Sequence, residues 1–72
     1  MKNGDFAKAI TDFKKAVELN AKYSAAYFQL AEAQCASGER ENALPNYKKA
    51  KSLDITIAKQ CEAGIEKCSN KA

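Results

Sequence analysis

A chain of 72 residues holds one small domain, and a chain of this size buries only about 60% of the surface that its unfolded form exposes, so a modest core must hold it. An apolar fraction of 46% beside a charged fraction of 29% excludes a disordered tract, and no apolar run is long enough to span a membrane. Twelve Lys/Arg against nine Asp/Glu leave a net charge of +3. That falls short of the dense basic stripe with interleaved aromatics of a nucleic-acid binder.

The first predicted helix spans 5–19. Phe6, Ala9, Ile10, Phe13, Ala16 and Val17 recur at spacings of three and four and form one apolar stripe. Gly4 reads as a turn glycine before it and Asp5 as its N-cap. The second helix, 24–36, puts Tyr27, Leu30 and Ala31 on one face and Phe28 on the flank, with Ser24 as N-cap and Gly38 as the stop. The third, 40–52, repeats a stripe through Ala43, Leu44, Tyr47 and Ala50. Pro45 removes one backbone donor if that helix starts near Arg40, and falls in the tolerated first turn if it starts later. The last, 57–68, aligns Ile57, Cys61, Gly64, Ile65 and Cys68. Gly64 costs that helix about 1 kcal/mol relative to Ala and offers a place for close helix approach. Residues 69–72 are expected to fray. Loops of about three to four residues favour antiparallel neighbours.

The chain repeats itself. With Gly4 laid on Gly38, an offset of 34, Ala9 falls on Ala43, Ile10 on Leu44 and Phe13 on Tyr47. Lys14-Lys15-Ala16 falls on Lys48-Lys49-Ala50, Leu19 on Leu53 and Asn20 on Asp54, all without a gap. Glycine, aromatic, small and aliphatic positions keep their order together, which marks a structural repeat.

A period of 34 residues built from paired helices resembles the tetratricopeptide repeat. The first-helix signature is matched by Tyr27, Leu30, Ala31 and, in place of the usual tyrosine, Gln34; the second by Ala43, Tyr47 and Ala50, and again by Ala9, Phe13 and Ala16. Ala21 and Ile55 stand where the family tends to place proline. The resemblance implies an all-α fold, a short right-handed solenoid of about four helices in a single domain over 1–72. Residues 4–20 would be the second helix of a partial repeat, 24–54 the rest of one full repeat, and 57–68 a cap or the first helix of a further repeat. Repeat packing would fall to Phe6, Ala9, Phe13, Ala16, Tyr27, Leu30, Ala31, Ala43, Tyr47, Ala50, Cys61, Ile65 and Cys68. Because the chain opens in mid-repeat, part of the stripe from Phe6 to Val17 is expected to lack its usual cover. A longer parent array or self-association through that face would supply it.

The resemblance further implies a concave face lined by first-type helices that holds a peptide or a partner helix. The positions are Ala25, Phe28, Gln29, Glu32 and Cys35, with Lys59, Glu62, Ala63 and Glu66 from the last helix. Phe28 is the candidate anchor, or packs against the neighbouring helix. One branch of the family clamps acidic C-terminal peptides with cationic and amide side chains. Only Lys59 fits that pattern, beside three Glu, so a basic or apolar partner is expected. The other readings are a purely structural segment of a longer solenoid and a nucleic-acid-binding repeat using the lysine pairs.

Catalysis is not expected. The chain has no His, its three Gly are scattered, and Glu62 with Glu66 reads as a solvated surface pair. No cofactor and no metal are expected, because three thiols without His cannot complete a structural zinc site. An odd count of cysteines argues against a disulfide framework. Cys61 and Cys68, about 10.5 Å apart on one helix, exceed the reach of a disulfide. Both read as small inward-packing hydrophobes. Free thiols, with no signal peptide or membrane span, favour the cytoplasm.

Overall fold

The apolar stripes fold as four helices in the computed structural model, which describes residues 3–69. They are α1 (Asn3–Leu19), α2 (Ser24–Ala36), α3 (Arg40–Leu53) and α4 (Ala58–Ser69), and a 3-10 turn, Ile55–Ile57, leads into α4. The extents of 29 × 29 × 18 Å make the molecule about two helices thick. Among the described residues there is no strand, and no helix is long and apolar enough to cross a membrane.

α2 lies at the centre. It packs most extensively on α3 and next on α1, α4 packs on α3, and α2 meets α4 only narrowly. One core cluster gathers Ala31, Ala43, Tyr47, Ala50, Cys61 and Cys68, with Tyr27, Phe28, Leu44, Ile57 and Ile65 against it. The other joins Ile10, Leu30 and Ala33, with Ala9, Phe13 and Val17 alongside. Ala31, Ala43 and Ala50 are wholly buried, which explains the small residues in the repeat: they let backbones approach while Tyr47 fills the remaining volume. Along the stripe of α1, Ile10 is buried against α2, and Phe6, Phe13 and Val17 are half-buried.

The turns repeat as well. Asn20 accepts the Lys22 backbone N–H at its Oδ1, 3.1 Å, and Asp54 accepts that of Thr56 at 3.0 Å. These pairs are 34 residues apart. Each is a side-chain turn that leads into the next helix. Thr56 also donates its hydroxyl to Asp54, at 2.5 Å.

Gly38 and Gly4 are not equivalent. Gly38 ends α2 with φ +91°, in the left-handed region, where its own N–H bonds the Cys35 carbonyl and the Glu39 N–H bonds the Gln34 carbonyl. This double closure satisfies two terminal carbonyls of α2. Gly4 and Asp5 instead lie within α1, which starts at Asn3, two residues before the start expected at Asp5. Tyr23, not Ser24, occupies the N-cap of α2, and it makes no side-chain cap bond. Its carbonyl accepts the Ala26 and Tyr27 N–H groups. The third helix starts at Arg40, so Pro45 is inside it and withholds one donor from the ladder. Ile57 belongs to the 3-10 turn rather than to the last α-helix. Of the end expected to fray, 69–72, Ser69 is the last residue of α4, and 70–72 lie outside the described residues.

Gln34 is 2% exposed, the largest departure from an apolar core. Its Oε1 accepts from Asn46 Nδ2 on α3 at 2.6 Å, while the same amide nitrogen donates to the Asn42 carbonyl at 3.1 Å. The bond spans α2 and α3 and satisfies a group whose burial without a partner costs about 1–3 kcal/mol.

Candidate functional site

Among the described residues, three of the concavities border α2. The first, about 340 Å³, lies between α2 and α4 and is lined by Glu32, Cys35 and Ala36 on one side and Gly64 and Lys67 on the other, with Tyr47 of α3 at its base. The second, about 270 Å³, lies between α1 and α2 and is lined by Phe6, Phe13, Gln29, Glu32, Ala33 and Ala36. Glu32 and Ala36 border both, so they form the ridge between two parallel grooves. The third, about 550 Å³, lies at the α2–α3 turn against Cys35 and Cys68.

The base of the first groove follows from sequence. Gly64 stands one repeat after Leu30, where α2 has an inward side chain. Without a Cβ, Gly64 lets the Tyr47 ring come against α4: a Cβ built there would meet Tyr47 Cε1 at 2.5 Å and Cζ at 2.6 Å. The Tyr47 phenol is pushed above its ordinary pKa, by burial first and then by the nearby negative charge of Glu32. An apolar base with a carboxylate above it and an ammonium opposite can grip an extended chain through side-chain packing and charge.

Of the residues expected on the concave face, Glu32 and Cys35 line the α2–α4 groove and Gln29 the α1–α2 groove. Ala25 is exposed, as are Lys59, Ala63 and Glu66, and these four line none of the three concavities. Phe28 is half-buried, its ring edge-on to Tyr47 with centroids 5.8 Å apart, so much of its surface goes to packing between α2 and α3. Glu62 turns toward α3, where it pairs with Lys51 Nζ at 2.6 Å. Lys51 thereby holds the Glu62 carboxyl below its usual pKa. Both partners are substantially exposed, so the pair contributes little to stability.

The sequence reading names neither Ala36 nor Lys67 for this groove; it marks Gly64 for close helix approach without naming Tyr47 as the neighbour. Ala36 was within reach, one turn after Glu32 on the same face. Lys67 follows Gly64 by three residues, and only the approach of α4 to Tyr47 turns it into the groove.

The cysteines require a correction. Cys35 of α2 and Cys68 of α4 form a disulfide with Cα atoms 5.8 Å apart, and Cys61 is the free, buried thiol. The spacing argument that excludes a Cys61–Cys68 bond does not touch a pair on different helices. Equivalent residues of neighbouring repeats stand side by side, and 33 residues is nearly one repeat. With that bond in place, free thiols no longer favour the cytoplasm, since disulfides persist in oxidising compartments. Burial raises the pKa of Cys61, against the opposing pull of Lys51. Among the described residues no group of three or more His, Cys, Asp or Glu is arranged to hold a metal ion.

A family model, Tetratricopeptide repeat, matches residues 1–45. No curated protein and no solved structure matches the chain.

Proposed function

Because the chain belongs to the tetratricopeptide repeat family, a family of helical protein-interaction modules, we propose that it holds an extended peptide or a partner helix along α2 and α4 and carries out no catalysis. The observation that carries this reading is the pair of grooves divided by the Glu32–Ala36 ridge. The two troughs run along one helix, and they offer aromatic walls (Phe6, Phe13), an aromatic base (Tyr47) and a carboxylate between them. Glu32, the carboxylate on the ridge, borders both troughs whereas Lys67 borders only one, which suits a basic or apolar ligand better than an acidic one.

Peptides of basic, apolar and acidic composition, titrated against the protein by fluorescence anisotropy, test the reading. Basic or apolar peptides bind best, and Glu32→Lys weakens the basic ones roughly tenfold at low salt, a loss of about 1.4 kcal/mol, without changing helicity. Preference for acidic C-terminal peptides would defeat it.

A further inference from the structure

We propose that the Cys35–Cys68 disulfide is an exchangeable latch between α2 and α4, and that Cys35 is the sulfur at which a small soluble thiol attacks it. Three observations carry this. Cys35 is only half-buried and borders two concavities, whereas Cys68 is 2% exposed and borders one. The cleft of about 550 Å³ over the bond, walled by Gly38 to Asn42, is of a size that admits small molecules. α4 is held mainly by α3, through Tyr47 and Cys61, while its direct contact with α2 is narrow. Cutting the bond therefore separates the two walls of the α2–α4 groove without undocking α4.

The chemistry balances with a low-molecular-weight thiol as the only co-reactant. The thiolate attacks Sγ of Cys35, the Cys35–Cys68 bond breaks, and the electron pair leaves on Sγ of Cys68, which takes a proton from solvent. Cys35 now carries a mixed disulfide. A second thiol attacks that mixed disulfide, releases the oxidised thiol dimer and leaves Cys35 reduced. Cys61 does not compete, because it is buried and seven positions from Cys68 on the same helix, beyond disulfide reach.

Exposure of the oxidised protein to reduced glutathione, quenching with N-ethylmaleimide and peptide mapping decide the matter. The expected result is a glutathione adduct on Cys35, maleimide on Cys68 and no label on Cys61 before denaturation. Helicity stays near native, and the melting temperature falls by on the order of 10 °C, as expected for opening a loop of this length in a small domain. The exchange rate is the same in water and in urea below the unfolding transition. An adduct on Cys68, no exchange in the folded protein, a rate that climbs with urea, or loss of helicity on exchange would each overturn the proposal. Cys68→Ser, which retains the Cys35 thiol, is expected to stay helical and to take one adduct from oxidised glutathione at Cys35; its failure to fold would show the bond to be a structural necessity and not a latch.

Discussion

Gly64 of α4 and Tyr47 of α3 touch so closely that a methyl group on Gly64 would lie 2.5 Å from the tyrosine ring. The ring is itself buried, 3% exposed, and cannot swing aside cheaply. This contact docks the last helix and makes the base of the groove. Elsewhere on a helix, Gly→Ala gains about 1 kcal/mol. Here the sign reverses: Gly64→Ala is expected to destabilise by about 1–3 kcal/mol through overpacking. Gly64→Ala combined with Tyr47→Leu should recover part of that loss relative to Tyr47→Leu alone. Urea melts followed by circular dichroism measure both.

The buried Gln34 makes a second test. Asn46→Ala removes its partner at 2.6 Å and leaves an unsatisfied amide in the interior. The expected cost is about 1–3 kcal/mol. Gln34→Leu on top of Asn46→Ala should add little or even restore stability, because no buried polar group is then stranded. A double-mutant cycle reads the coupling, and strictly additive losses would show that the bond is not formed.

Thiol counting checks the cysteine assignment. The native oxidised protein should react with no equivalents of a chromogenic disulfide reagent on the minute timescale, since its one free thiol, Cys61, is buried and its pKa raised. Denatured without reductant it should show one thiol, and denatured after reduction all three cysteines.

Acid should weaken the repeat junction. The hydroxyl and backbone N–H of Thr56 stabilise the Asp54 carboxylate and depress its pKa in the folded chain, and the Ser24 hydroxyl helps. Lys51 does the same for Glu62. A depressed folded pKa contributes stability that is present above the unfolded pKa, about 4 for these groups, and is lost as pH falls through the folded value. The melting temperature should thus drop between pH 5 and 3. In Asp54→Asn the dependence should shrink while the turn persists, because Asn20 makes the same turn one repeat earlier. Asp54→Ala should lower stability at neutral pH as well.

Helices and repeat frame were legible because stripes such as Phe6–Ala9–Ile10–Phe13 and the offset of 34 are local signals that tertiary contacts then reinforce. The helix starts were less so: Gly4 can join a helix or end one, and only its surroundings decide. Small and aromatic positions alternate at Ala43, Tyr47 and Ala50, and all three are buried. The groove was harder. Exposed positions such as Lys59 and Lys67 look alike along a helix, and which of them faces α2 depends on how α4 seats on Tyr47. The Cys35–Cys68 bond depends on the same superhelical geometry, and no pair spacing on one helix reveals it.

The interaction surface itself is tested most directly by amide chemical-shift mapping with a peptide selected from a random display library. The expected result is perturbation concentrated at Gln29, Glu32, Ala36, Gly64 and Lys67, with loss of binding in Glu32→Lys. Perturbation centred instead on Lys14, Lys15, Lys48 and Lys49, with Gln29, Glu32, Ala36, Gly64 and Lys67 unmoved, would contradict the account.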